Sequence, residues 1–188
     1  MREADVADER GRILLTIARA SLGEALGLGP LRSFDEPWLR EPGATFVTLR
    51  HRAKLRGCVG SLHAHRPLFD DVRANARAAA FHDTRFAPVS REELPELSFE
   101  VSLLSSPAPF EVSCEEEALA RLRPGVDGLI FDCEGCRSTF LPQVWDHLRE
   151  PREFLTQLKL KAGLPAAFWS SDVRLWRYTV SKWAEGEG

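Results

Sequence analysis

The chain has 188 residues, 44% of them hydrophobic and 28% charged, with a formal net charge of −3. A chain of this size buries roughly 70% of the surface its unfolded form exposes, so neither a metal nor a disulfide is needed to hold it together. The composition excludes collagen, coiled coil and bulk disorder, and the slight acidity argues against wholesale coating of nucleic acid.

Apolar residues Val6, Ile13, Leu14, Ile17, Ala18, Leu22, Ala25 and Leu26 recur at helical spacing from Glu3 to about Leu26, and Gly27 and Gly29-Pro30 stop that helix. Ala44–Arg50, rich in Thr, Phe and Val, predicts a strand; Arg52-Ala53-Lys54 reads as a turn into a second strand over Leu55–Leu62. Gly57 and Gly60 inside that second strand mark a bulge or a close approach of another backbone. Pro67 opens a helix over Leu68–Phe81 with Leu68, Val72, Ala76, Ala79 and Ala80 in one stripe. Strict alternation over Leu97–Leu103 predicts a half-buried strand, and Ser113-Cys114-Glu115-Glu116 reads as a capping box for a helix to about Leu122.

Asp127–Asp132 and Arg137–Leu141 predict a second hairpin around Glu134-Gly135. Helices follow over Pro142–Arg149 and Pro151–Ala162, then a last strand over Val173–Lys182 with a parity slip between Leu175 and Trp176. Hairpins mixed with helices indicate an α+β fold with mixed or antiparallel sheets and flanking helices, in one unit over residues 1–188 that divides into two lobes. Met1 to Arg12 mix acids and bases without a signal-peptide core, and no run of about 18 apolar residues exists to span a membrane. The four cysteines, Cys58, Cys114, Cys133 and Cys136, are too few and scattered for a secreted disulfide framework, so the expected compartment is the reducing cytoplasm.

The segment richest in chemistry is Leu55-Arg56-Gly57-Cys58-Val59-Gly60. Glycines on both sides of Cys58 leave room at the thiol, and on a regular strand Arg56 shares its face, where a guanidinium favours the thiolate. Cys58 is then either a nucleophile or soft-metal ligand, or the small buried residue that a crowded strand takes. Glu100, opposite in parity to Phe99 and Val101, is solvated or aimed into a cleft, and His82, Asp83 and Arg85 follow the Leu68–Phe81 helix toward the same place. Cys133-Glu134-Gly135-Cys136 is half of a zinc-knuckle spacing or a redox pair, or simply two residues facing each other across a turn. His63-Ala64-His65 is the only tight histidine pair and does not complete a four-ligand set. G-x-S-x-G, Walker, Rossmann and H-E-x-x-H patterns are absent, and no cofactor or metal is expected. Arg50-His51-Arg52-Ala53-Lys54-Leu55-Arg56, with Arg73 and Arg77, forms either a phosphate-facing patch or an ordinary solvated hairpin tip.

At Leu55-Arg56-Gly57-Cys58-Val59-Gly60 the sequence resembles the AMMECR family. The likeness extends through Thr45-Phe46-Val47-Thr48-Leu49, Arg66-Pro67-Leu68, Ala79-Ala80-Phe81, Arg85-Phe86, Glu93-Leu94-Pro95 and Phe99-Glu100-Val101-Ser102. It continues through Pro124-Gly125-Val126-Asp127-Gly128 and Thr139-Phe140-Leu141-Pro142-Gln143-Val144-Trp145 to Lys161-Ala162-Gly163-Leu164-Pro165, in family order from about Ile13 to Tyr178. The resemblance implies a two-lobed α+β fold with a cleft near the Arg-Gly-Cys segment. The family's motif covers Arg56, Gly57, Cys58 and Gly60, together with Glu100, Arg85 and Thr139; of these, the reading of the residues makes Cys58, Arg56 and Glu100 the candidate catalytic residues and Gly57, Gly60, Arg85 and Thr139 the candidate binding residues. Bacterial relatives occur as the A component beside a Memo-like protein, similar to extradiol dioxygenases, and a radical SAM protein, which implies these as partners. Two places depart from the family pattern: Thr84 stands where relatives usually have Pro, and Cys133 and Cys136 lie in a variable hairpin turn. The expectation is a cleft enzyme or enzyme subunit using Cys58, with a non-catalytic adaptor as the alternative and nucleic-acid binding behind both.

Overall fold

The apolar stripe near the N-terminus winds into a helix, and the computed structural model describes it and the rest of the chain over residues 3–186, with side chains from residue 9 onward. The side chain of Val6, counted in that stripe, lies outside the described residues. In chain order the elements are α1 (Glu3–Ala25), β1 (Pro42–Gly43), β2 (Thr45–His51), β3 (Lys54–Gly60), β4 (Arg66–Pro67), α2 (Leu68–Phe81), β5 (Leu97–Leu104), β6 (Ala108–Pro109), α3 (Glu115–Arg121), β7 (Gly128–Cys133), β8 (Cys136–Phe140), α4 (Pro151–Lys161), β9 (Arg174–Tyr178) and β10 (Val180–Ala184). The described residues form an α+β fold of four helices and three antiparallel sheets. Contacts divide the chain into two units, Met1–Leu104 with Ser181–Gly188, and Ser105–Val180.

In the first unit α1 buries Leu14, Ile17, Ala18 and Leu22, and α2 buries Val72, Ala76, Ala79 and Ala80. Both pack on one face of a four-stranded sheet in the order β10-β5-β2-β3, whose contribution to the core is Val47, Leu49, Phe99 and Val101. Each fully buried Leu, Ile, Val or Phe contributes roughly 1.5–3 kcal/mol of transfer free energy. α1 stops where Gly27 takes a φ of 75° and the Leu28 N–H reaches back to the Gly23 carbonyl, a glycine-capped helix end. Arg52 and Ala53, at φ 49° and 64°, form the two-residue turn between β2 and β3. A carboxylate clasp ties the ends of these elements together. Fully buried Asp71 accepts from Thr45 N and Oγ1 at 2.8 and 2.7 Å, Asn75 Nδ2 at 2.9 Å, Ser61 Oγ at 2.8 Å and Arg66 Nε at 2.8 Å. Every lone pair facing the interior is thereby used, which makes a buried charge tolerable there.

The second unit holds a sheet in the order β6-β9-β7-β8, with α4 packed against β8 and α3 against α4. Its core is Leu129, Phe131, Cys133, Trp145, Phe154, Leu155, Leu158 and Leu175. Trp145 stacks on Phe154 with ring centroids 3.9 Å apart, and its indole N–H donates to the Asp127 carbonyl at 2.7 Å. Lys159 is fully buried, its ammonium donating to Glu115 at 2.9 Å and to the Phe168 carbonyl at 3.1 Å.

Three predicted elements change form. The last strand is two strands: β9 pairs with β7 in the second unit's sheet, and β10 joins β5 in the first unit's, so the break falls at Thr179 rather than at Leu175. The helix expected over Pro142–Arg149 is a 3-10 turn over Pro142–Asp146, short because it serves to seat Trp145 against Phe154. The capping box at Ser113 is shifted by one residue: Cys114 is the N-cap, and Glu117 accepts from both the N–H and the hydroxyl of Ser113 at 2.8 Å.

Candidate functional site

Cys58 belongs to a row that crosses the first unit's sheet. Glu100 on β5 pairs with Thr48 on β2, and Thr48 pairs with Cys58 on β3. Directly paired residues share a face, and the neighbouring rows, Val47 with Val101 and Leu49 with Phe99, fill the helix-covered core. The Glu100–Thr48–Cys58 row therefore lies on the face away from α1 and α2. Thr48 and Glu100 are each 8% exposed and Cys58 is half-buried. Thr48 Oγ1 donates to Cys58 Sγ at 3.3 Å, and at the row's other end Lys182 Nζ meets Glu100 Oε2 at 2.8 Å.

β3 is an edge strand, and the backbone at Cys58 is closed from outside by a carboxylate. Asp83 Oδ2 accepts the Cys58 N–H at 2.9 Å. Asp83 is itself gripped by Arg85, whose Nε donates to Oδ1 at 2.9 Å and whose Nη2 donates to Oδ2 at 2.6 Å; Nη2 also lies 3.4 Å from the Cys58 carbonyl. The Arg85 guanidinium, and after it the Cys58 amide, hold the Asp83 carboxyl well below the usual carboxylate range. Asp83 in turn keeps Arg85 more firmly protonated, with a smaller contribution from Cys58. The loop after α2 thus delivers a cation to the edge of the thiol row and keeps a strand edge from pairing elsewhere.

Arg56 sits differently from the regular-strand expectation. The β2–β3 register slips between Leu49 and Arg50, with Leu49 opposite Gly57 and Arg50 opposite Leu55, so Arg56 is the extra residue of a bulge. Its guanidinium is bidentate on Glu93, at 2.9 and 3.1 Å, and lies over the Phe86 ring at 6.0 Å; Nη1 is buried without a partner. The guanidinium that reaches Cys58 is that of Arg85. The two glycines are explained by close packing of the chain on itself. A Cβ on Gly57 would lie 2.1 Å from the Ala79 carbonyl oxygen of α2, and one on Gly60 would lie 2.2 Å from the Phe46 ring. Thr139 stands in the second unit, its hydroxyl donating to the Leu129 carbonyl at 3.0 Å and lying 3.1 Å from the Tyr178 hydroxyl.

Other sequence candidates resolve simply. His51 and Arg52 both meet Glu96 Oε2, at 2.8 and 2.9 Å, and Arg73 meets Glu24 at 2.6 Å, so much of the basic string is neutralised at short range. His63 and His65 are exposed, and His65 Nδ1 lies 2.9 Å from the His63 carbonyl. Among the described residues no group of three or more His, Cys, Asp or Glu is arranged to hold a metal ion. Thr48, Lys182 and the Asp71 clasp were not singled out from sequence. Thr48 left the one local signal, a polar residue between the apolar Val47 and Leu49 of β2.

The AMMECR1 family model matches residues 15–183. A protein of Methanothermobacter thermautotrophicus is 38% identical over 187 residues, covering 95% of each chain. One from Thermococcus gammatolerans is 38% identical over 194 residues, covering 96% of this chain and 92% of its own. The crystal structure of an uncharacterized protein from Pyrococcus horikoshii superposes with a TM-score of 0.75 at 33% identity, covering 94% of this chain and 92% of its own.

Proposed function

The chain belongs to the AMMECR1 family, and on that premise we propose that it is a thiol-dependent enzyme, or the thiol-bearing subunit of one, with Cys58 as the attacking group. The observation that carries this reading is the Thr48 hydroxyl donating to the Cys58 sulfur at 3.3 Å with a guanidinium held beside the same residue. The thiolate is the nucleophilic form of cysteine, and the Thr48 hydroxyl is the donor that meets its sulfur. Arg85 is half-exposed and supplies attraction for an anionic group on the substrate. Neighbouring strands lie about 4.8 Å apart, so Glu100, two strands from Cys58, acts on the far part of a substrate laid across β3, β2 and β5 rather than on the thiol itself. Lys182 pairs with Glu100 at 2.8 Å and holds its position, and Glu100 serves there as acid or base. Arg56 braces the strand through Glu93, and Gly57 and Gly60 let α2 and Phe46 close around the thiol strand. The reading places the protein in the cytoplasm, where a free thiol persists, working with the Memo-like and radical SAM proteins that the family likeness implies.

Peptide-resolved alkylation of Cys58 across pH tests it, with Cys114, Cys133 and Cys136 as internal controls. Reaction well below the pH at which free thiols ionise, about 8.5, supports an activated thiolate. A thiol inert until the chain unfolds removes the catalytic reading. A second reading, a non-catalytic adaptor for the same two partners, is favoured by Leu55 and Leu62, large apolar side chains each 39% exposed at the two ends of the β3 segment. It predicts co-elution with a Memo-like or radical SAM protein at micromolar concentration, and separate elution from both counts against it.

A further inference from the structure

The two thiols of the β7–β8 hairpin are cross-strand partners. Cys133 and Cys136 stand opposite each other, flanking the turn residues Glu134 and Gly135, whose φ values of 50° and 88° give the left-handed two-residue turn that matches strand twist. Residues flanking a two-residue turn are a hydrogen-bonded pair that points to one face with Cα atoms about 5.5 Å apart, inside the window of about 4.4–6.8 Å that disulfides span. Both cysteines are free, and they differ in access: Cys133 is 4% exposed within the second unit's core, while Cys136 is half-buried. Cys133 Sγ has one polar neighbour, Ser170 Oγ at 3.7 Å, on the segment between α4 and β9 that also carries Trp169.

We infer that this hairpin is a reversible dithiol–disulfide site, oxidised by a low-molecular-weight disulfide such as glutathione disulfide. Cys136, the accessible thiol, attacks one sulfur of the small disulfide as thiolate, forming a mixed disulfide and releasing one small thiolate. Cys133 then attacks Cys136 Sγ, forming the Cys133–Cys136 bond and expelling the second. The protons given up by the two cysteines end on the two released thiols, and the electron pair given up by the dithiol reduces the small disulfide. A rigid turn holds the resolving thiol opposite the attacked one, so the second step is intramolecular. Closing the bond draws Cys133 Sγ away from Ser170, which couples oxidation state to the α4–β9 segment. This site lies within the second unit and is independent of the role of Cys58.

The test equilibrates the folded full-length protein against glutathione buffers from reducing to oxidising, quenches in acid, alkylates, and reads each cysteine by mass spectrometry. The expected result is that Cys133 and Cys136 lose alkylation together, on a peptide lighter by two hydrogens, while Cys114 stays alkylatable. Cys133→Ser should then accumulate a glutathione adduct on Cys136, and Cys136→Ser should leave Cys133 reduced. The wild-type measurement decides the matter even if a variant misfolds. The inference is overturned if both thiols remain alkylatable at the oxidising end, or if the wild-type protein stops at the Cys136 adduct.

Discussion

Asp83 and Thr48 approach Cys58 from different directions and do different work. Asp83 fixes the backbone and positions Arg85, whereas the Thr48 hydroxyl touches the sulfur. Thr48→Val keeps the shape and removes the donor, so it should slow Cys58 alkylation near neutral pH by about fivefold, the worth of a hydrogen bond of about 1 kcal/mol. Arg85→Gln should also slow it, but through an exposed charge that salt screens. Repeating the rates in high salt separates the two: the difference between wild type and Arg85→Gln should shrink, and that for Thr48→Val should persist. Equal salt sensitivity of both variants would contradict this division of roles.

At the scale of elements, two contacts decide how α2 sits on the sheet. Gly57 brings the helix backbone so close that a methyl group would meet the Ala79 carbonyl oxygen, an atom no side-chain rotation moves. Gly57→Ala should destabilise the protein by roughly 1–3 kcal/mol in chemical denaturation. Gly23→Ala, on α1 with its nearest neighbour at 3.9 Å, should be neutral or stabilising by up to about 1 kcal/mol. The second contact is the Asp71 clasp. Asp71→Asn turns one acceptor into a donor facing donors, and removes the charge that Arg66 pairs with. A loss of about 3 kcal/mol is expected, read as a shift of the unfolding midpoint. An unfolding midpoint unchanged in Asp71→Asn would show that the network contributes specificity rather than stability.

For the molecule as a whole, the carboxylates set how it meets acid. Glu24, through Arg73, Glu93, through Arg56, and Glu96, through His51 and then Arg52, are all held below their ordinary value of 4.5, and Glu117 is held at about 2 by Ser113 and then Arg121. Each is a group whose folded value is depressed. Its contribution is present above the unfolded value and is lost as pH falls through the folded one. The melting temperature should therefore decline as pH drops below 4.5 and go on declining toward about 2. The Glu96 and Glu117 pairs are exposed, so added salt should flatten their share of the decline, while the partly buried Arg56–Glu93 pair is screened less. A melting temperature level down to pH about 3 would show that the pairs contribute nothing measurable.

Much of this architecture is legible in the chain itself. The spacing of Leu14, Ile17, Ala18 and Leu22, the alternation over Leu97–Leu104 and the Glu134-Gly135 turn are local signals, because helix and strand periods of 3.6 and 2 need only near neighbours. The opposition of Cys133 and Cys136 was readable for the same reason, a two-residue turn fixing register. The Arg-Gly-Cys segment and its flanking motifs carried the family, and the AMMECR1 match bears that out. Pairings between distant segments were not legible. Cys58 meets Thr48, and Thr48 pairs with Glu100, through register across three strands, and Arg85 rather than Arg56 reaches the Cys58 backbone because a bulge interrupts the alternation. The last strand divides at Thr179 because its two halves find partners in different sheets. Periodicity tells a residue which face it takes on its own element. Which residue from another element shares that face depends on register and packing, and these are settled only when the whole chain closes on its core.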